Sequence, residues 1–532
     1  MTGSDHETDV LIIGAGPVGM ALALDLTYRN VPCTVVDSGD GRVRHPKVST
    51  IGARSMELFR RWGVAQRIRQ AGWPPDHPLD IAWVTQVGGH EIYRYERGTA
   101  ADRPEFLHTP EPDQVCPAHW LNPLLLEELT GRDGCDVRLL HRLDSFTQDD
   151  NAVTAHVTDL TSGLPLTVRA RYLVACDGAS SQVRRACGIE APYRYETQEF
   201  RNVLFKAPDL AGKLTAMGLR TAMVYFLLRS ASLRFPMRSL DGAGLYNLVV
   251  SGATASHDAG ALVRETIAVD VPVEVLSDGA WHLTQRIADR YRHGRVLLAG
   301  DAAHTLSPSG GFGMNTGIAD AADLGWKLAA LLSGWAGPAM LDSYDLERRP
   351  VAVRNLEAAN ANLTRTTGQV LPADLHADTA AGKQARARMA DRLRNGGARR
   401  EFDAPEIHFG YRYSSPLVLG ERVELTPGWR PGSDPGYRAA HAWLRPGTST
   451  LDVFGRGFTL LCFHPEAAPY GLERAFRDRG VPLSVLVCRD EKIAALYGHP
   501  YVLVRPDDHV AWRGHRPPDD PLELVDAVRG AA

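Results

Sequence analysis

Gly14, Gly16 and Gly19 follow a short apolar run at 9–13 and precede a helical run at 20–30, so the chain reads G-x-G-x-x-G at a strand-to-helix turn. The chemistry this spacing serves is the binding of a dinucleotide. Gly14 permits the tight turn, Gly16 lets backbone approach a pyrophosphate, and Gly19 allows the helix to close onto the strand; Pro17 sits inside the same turn. The exposed N–H groups and the dipole at the helix start favour a bound phosphate. A second strand at 33–37 ends in Asp37, an acid at the right distance to hydrogen-bond a ribose hydroxyl. Glycines also fill plain turns; strand, helix and terminal acid together make this a dinucleotide site.

Two later stretches return to the same ligand. A buried strand at 172–176 runs into Asp177 and Gly178, with Arg184 shortly after. Another strand, from 294, ends in Gly300-Asp301; Pro308, Gly310, Gly311, Gly313, Met314 and Asn315 then open a helix running to about 332. Between these stretches the pattern changes. Residues 81–85 and 91–95 alternate as half-buried strands around Gly88-Gly89, and 201–285 is strand-rich, with runs at 223–228, 232–237 and 245–251. One sheet over the cofactor, with the substrate pocket between, is the expected arrangement. Helices are expected at 54–63, 119–129, 338–365 and in the Ala/Arg-rich segment 371–402, and meander strands at 136–140 and 153–158. The basic stretch 42–50 reads as a loop, its arginines either solvated or on a phosphate. Beyond the Pro/Gly-rich stretch 427–447 a new α/β pattern begins, with strands at 458–463, 481–487 and 501–505 and a closing helix at 522–529.

Read in order, the Gly14/Gly16/Gly19 turn with Asp37, the Asp177-Gly178 pair and the Gly300-Asp301 loop resemble the class A flavoprotein aromatic hydroxylases, the p-hydroxybenzoate hydroxylase fold, over most of the chain. The resemblance implies an α/β architecture. A Rossmann-like FAD-binding domain would occupy 1–77, 113–196 and 289–370, with a mixed-sheet substrate domain inserted at 78–112 and 197–288 and a connecting helix at 371–405. Residues 409–413 and the added C-terminal segment are similar to the phenol and polyketide hydroxylase branch, which includes 2,4-dichlorophenol 6-monooxygenase, and imply a thioredoxin-like domain at 406–532. Cys462 and Cys488 are too far apart for a dithiol motif, so that domain is expected to be structural or dimer-supporting, with a homodimer left open.

The resemblance also implies roles. Asp301 would hydrogen-bond the ribityl chain of FAD. The helix after Pro308 would aim N–H groups, from Gly311 to Asn315, at the pyrimidine edge of the isoalloxazine, where a positive helix end stabilises reduced flavin. Asp177 and Arg184 would sit near FAD and the nicotinamide route, and Arg54 would contact FAD. Family members usually carry Gln before the helix near 116–122. Here His119 is read either as its substitute or as a buried structural histidine. Tyr225, Phe235 and Met237 are candidates for the substrate pocket, weighed against plain core packing.

NADPH or NADH would reduce FAD, O2 would be the co-substrate, and a C4a-hydroperoxyflavin would hydroxylate a phenolic or polyketide-like aromatic. No side chain is assigned as catalytic. Epoxidation and Baeyer–Villiger insertion use the same motifs. A flavin-binding protein without turnover is disfavoured by the intact Gly-Asp loop, and a flavin halogenase by the missing Gly-Trp-x-Trp-x-Ile-Pro signature.

Composition narrows the rest. A chain of 532 residues makes two or three domains, and 44% hydrophobic with 23% charged residues is ordinary for a globular protein. A net charge of -4 argues against a nucleic-acid or anionic-membrane partner, and no apolar run approaches the ~20 residues of a membrane span. The polar, acidic start at 1–9 is not a signal peptide, so a cytoplasmic location is expected. Seven cysteines stand singly without C-x-x-C, read as reduced thiols, and no metal site is expected.

Overall fold

Val10, Leu11, Ile12 and Ile13 are all buried, which they must be in a strand with parallel neighbours on both sides. In the computed structural model, which describes residues 5–46, 50–103, 106–252, 258–420, 429–463 and 469–532, this strand spans Asp5–Ile13. It lies between Cys33–Val36 and Pro165–Ala175; Cys135–Arg138 extends the sheet on one side and Val296–Leu298 on the other, all parallel. The strand begins earlier than its apolar run because residues 5–8 pair with 167–170 at the end remote from the nucleotide turn. Val153–Asp159 pairs antiparallel with the first half of Pro165–Ala175, and His141–Gln148 with Val153–Asp159. The helices Pro17–Tyr28 and Phe312–Leu332 pack against each other beside this sheet.

The inserted segments form one sheet. Its seven strands run in the order Glu274–Leu283, Gln198–Lys206, Leu245–Ser251, Pro236–Ser239, Val224–Leu227, Ile81–Val84, Glu91–Tyr95. Only the join between Val224–Leu227 and Ile81–Val84 is parallel, and it is where the two segments meet. One face is covered by the helices Leu210–Ala216 and Ala259–Thr266, which the strand-rich reading did not anticipate. The strand expected at 232–237 is displaced to Pro236–Ser239. The Ala/Arg-rich segment is helical only over Ala380–Asn395, flanked by 3-10 turns at Ala373–His376 and Ala398–Glu401. Residues 47–49 of the basic loop and 427–428 of the Pro/Gly-rich stretch lie outside the described residues.

The C-terminal sheet has the order Leu483–Val487, Phe458–Cys462, Tyr501–Val504, Val510–Gly514, with only the first pair parallel. Its helices Tyr470–Asp478 and Glu491–Tyr497 were not foreseen. This sheet packs on Trp326, Ala330 and Met340. A buried ionic cluster reinforces that join. Lys327 donates to Asp323 (2.8 Å) and Glu347 (2.7 Å), while Arg505 donates to Glu347 (2.6 Å), Asp323 (3.1 Å) and Asp507 (2.7 Å). Burial, with the Glu347 and Asp507 charges, pushes the Asp323 carboxyl up against the pull of Lys327 and Arg505.

Among the described residues no helix is long and apolar enough to cross a membrane. Because removing one partner strands buried opposite charge, Glu347→Ala is expected to lose ~3–5 kcal/mol in chemical denaturation. A loss below about 1 kcal/mol would contradict this role for the cluster.

Candidate functional site

Backbone meets backbone where the parallel strands end. Gly14 has φ +110°, and a Cβ there would lie 2.3 Å from the Cys176 carbonyl oxygen. At Gly19 a Cβ would fall 2.0 Å from the Gly14 carbonyl oxygen. The two turns, 14–19 and 176–178, are therefore pressed into one floor. Asp37 braces it, accepting from Ala15 N and Gly39 N at 2.6 Å each.

A third segment closes the floor. Gly300 and Gly317 leave room for Val18, to which a Cβ at either would come within 3 Å. The buried Asp320 carboxylate accepts from Gly300 N (3.1 Å), His304 Nε2 (2.7 Å) and Arg348 Nε (2.7 Å). Burial raises its pKa, but the Arg348 charge and the His304 hydrogen bond outweigh that and hold it below the usual range. Asp301 is thereby fixed facing a cavity of about 740 Å³. Gly311, with φ 68°, caps the helix Phe312–Leu332, and Gly311, Gly313, Met314 and Asn315 line the same cavity, as do Gly16, Pro17, Gly178 and Pro308. Asn315 Oδ1 accepts from Gly52 N (2.8 Å) and Ser55 Oγ (2.7 Å), locking the helix Ala53–Arg61 onto this end.

The opposite wall comes from the seven-stranded sheet and the 398–409 segment. Arg238, Pro308 and Glu401 also line a small adjoining slot, with Phe200, Phe226, Phe235 and Trp281. Phe200 and Trp281 stack at 5.1 Å. Burial pushes the Glu401 carboxyl up; it accepts from Gly310 N at 3.2 Å, joining the slot to the glycine loop.

Residues 7–359 match the FAD binding domain family, and 433–531 the C-terminal family of aromatic-ring hydroxylases. The chain belongs to the class A flavoprotein aromatic hydroxylases. The tetracenomycin B2 monooxygenase-dioxygenase of Streptomyces olivaceus is 32% identical over 98% of this chain and 98% of its own. RebC-10x, solved alone and with K252c, is 60% identical with TM-score 0.96 over 99% of this chain and 100% of its own. RebC soaked with chromopyrrolic acid and holding 7-carboxy-K252c is 58% identical with the same TM-score and coverage. The protein is thus a FAD-dependent monooxygenase that uses NAD(P)H and O2, as this family does.

The cavity suits that cofactor. A Cβ at Gly16, Gly178, Gly311 or Gly313 would meet no protein atom within 4 Å, so these positions leave space for a ligand. Asn122 Oδ1 and Asp177 Oδ1 are buried without a hydrogen-bond partner among the described residues, and Asn122 lines the cavity. Bound FAD would carry electrons from NAD(P)H to O2 and supply the transferred oxygen.

Several expected contacts fall elsewhere. Arg54 turns away from the cavity, because successive helix residues point ~100° apart and Gly52 and Ala53 take the cavity side. Its guanidinium donates to Glu57 (3.0 Å), Asp508 (2.8 Å) and the Asp507 carbonyl (2.8 Å). His119 lies against Trp120 outside the lining; on its helix Ala118 and Asn122, one turn apart, face in instead. Arg184 ties the Asp177 and Asp301 loops together, donating to Ala302 O at 2.8 Å, without lining the cavity. Asp177 caps a turn through Gln182 N (2.8 Å), with Cys176 and Gly178 doing the lining. Tyr225 and Met237 pair across their strands and face the helix-covered core. Their neighbours Val224, Phe226 and Arg238 face the cavity and slot, one residue out of phase with the expectation. Phe235 lines the slot.

Asn122→Ala is expected to weaken FAD binding about tenfold, and His119→Ala to change it less than about twofold, in fluorescence titrations of the apoprotein. The reverse order would restore the histidine to the flavin contact.

Proposed function

We propose that this monooxygenase acts on a fused polycyclic aromatic acid, held with its carboxylate at Arg238 and its rings in the part of the large cavity that adjoins the aromatic slot. Arg238 carries the argument. It lines both the cavity and the slot, burial lowers its pKa with the Glu401 charge opposing, and its guanidinium makes no side-chain hydrogen bond to any of the described residues. An arginine in such a place lacks a bidentate anionic partner, which a ligand carboxylate supplies. The RebC ligands support the same class by name, an acid and a carboxy compound, at 58% identity.

Each residue then has a task. Asp301, the 311–315 helix start and Asn122 hold and polarise the cofactor, with Asp177 and Asp37 bracing the loops. Phe200, Phe226, Phe235 and Trp281 orient flat rings and keep water out. Glu401, beside Gly310, is placed to exchange a proton with a ring hydroxyl or N–H of the substrate. The domain division set out above accommodates this arrangement. We read the C-terminal unit as thioredoxin-like from its strand order and as structural, since Cys462 and Cys488 are both buried.

The test incubates FAD-loaded protein with NADH or NADPH and chromopyrrolic acid, 7-carboxy-K252c or a polyketide aromatic, following O2 uptake and product mass. Substrate-stimulated uptake with an aromatic product about 16 Da heavier supports the reading; stimulation by the polyketide alone overturns the proposed class. Arg238→Gln should raise KM for the carboxylated substrate about 10- to 100-fold and leave substrate-free NAD(P)H oxidation unchanged.

Glu401 makes a pH prediction. Its folded pKa lies above its unfolded value, so its contribution is intact at low pH and is lost as pH rises through the folded value. Glu401→Gln should therefore flatten the fall in thermal midpoint above the ordinary glutamate range. An unchanged profile would show that the carboxyl is already ionised.

A further inference from the structure

The sequence scatters its cysteines, but the fold does not. Cys33 and Cys135 stand directly opposite each other on neighbouring parallel strands, with Cys33 N donating to Gly134 O at 2.9 Å. Neighbouring strands lie about 4.8 Å apart, inside the ~4.4–6.8 Å Cα range that a disulfide spans. Residues in register on adjacent strands direct their side chains to the same face. Each thiol shifts the pKa of the other, and both are free.

We propose that Cys33 and Cys135 are a peroxide-reactive thiol pair that closes a reversible disulfide across the nucleotide-binding sheet. The two sulfurs are not equivalent. Cys135 is half-buried, and the Cys33 hydrogen bond and then the Arg132 charge favour its thiolate against burial and Asp136. Cys33 is 2% exposed, and its pKa is raised by the Cys135 hydrogen bond and by burial. The more exposed Cys135 sulfur is therefore the nucleophile and the buried Cys33 sulfur the resolving group.

The oxidant is hydrogen peroxide, which a flavin monooxygenase releases when oxygen is reduced without transfer to substrate. The Cys135 thiolate attacks one peroxide oxygen; an S–O bond forms, the O–O bond breaks and hydroxide leaves. The Cys33 sulfur then attacks the Cys135 sulfur; the S–S bond forms, the S–O bond breaks, and the Cys33 proton leaves with the departing oxygen as water. Two thiols and one peroxide give one disulfide and two waters. The bridge staples the strand Cys135–Arg138 to the strand that leads into Asp37, and Asp37 N already donates to Arg138 O at 3.0 Å. Oxidation thus hardens the sheet under the nucleotide turn.

The FAD-loaded protein is treated with a small molar excess of hydrogen peroxide, alkylated, and mapped by mass without reduction. A linked peptide joining Cys33 and Cys135 is expected, with thiols falling by two from the seven in the chain and a thermal midpoint raised by a few degrees, all reversed by dithiothreitol. In Cys33→Ser a sulfenic acid should instead accumulate at Cys135 and be trapped by dimedone. Seven surviving thiols, a bridge between other cysteines, or sulfinic acid at Cys135 without a linked peptide would each overturn the proposal. The wild-type map decides the matter even if a variant fails to fold.

Discussion

The whole site depends on close approaches that only glycine allows, backbone on backbone at Gly14 and Gly19 and backbone on the Val18 side chain at Gly300 and Gly317. Gly14 touches the Cys176 carbonyl, Gly19 touches the Gly14 carbonyl, and Gly300 and Gly317 enclose Val18. A methyl group at any of the four would sit within 3 Å of a neighbour. Three segments separated by more than a hundred residues are thereby pressed into one floor. The entropic cost of ordering so many glycines is offset by the buried sheet and helices behind them. Because the floor is backbone, the groups it presents are N–H donors and helix ends, which suit a phosphate and a reduced flavin.

Behind that floor the C-terminal unit acts as a brace. Arg505 enters the buried Lys327–Glu347 cluster, Arg54 and Arg438 share Glu57, and Arg29 reaches the Pro506 carbonyl at 3.1 Å. Buried ion pairs are weak evidence for net stability, because desolvation opposes the Coulomb gain. What they impose is geometry. The Glu57 pairs fix the helix Ala53–Arg61, the Arg505 cluster fixes Phe312–Leu332, and Arg29 ties down the end of Pro17–Tyr28, while the first two helices carry Gly52 and Asn315 to the cavity wall. Arg54 therefore serves the cavity indirectly, by holding the helix rather than the ligand.

What the sequence reveals and what it hides follow from the same physics. The Gly14–Gly16–Gly19 turn, Asp301 and the 311–315 helix start are legible because a single residue type at a single spacing carries each constraint. Side-chain direction is not carried that way. Whether Tyr225 or Phe226 faces the slot is set by pairing with Ile81–Val84, some 140 residues earlier, and a shift of one residue exchanges the faces. Asn122 lies one turn from Ala118 on the helix that carries His119, and helical phase, not residue chemistry, decides which of them faces the cavity. Arg238 and Glu401 come from different segments, and only the folded chain brings them to one slot.

The most direct test of the shared floor is to measure FAD dissociation constants for Gly16→Val and Gly313→Val beside the wild type. Both glycines line the cavity, neither has a positive φ, and a Cβ at either meets no protein atom within 4 Å. If one cofactor lies against both segments, each variant keeps the thermal midpoint of the apoprotein and loses FAD affinity by about a hundredfold, some 2.7 kcal/mol. If either variant binds FAD as the wild type does, the three segments do not build a single flavin site and the account fails.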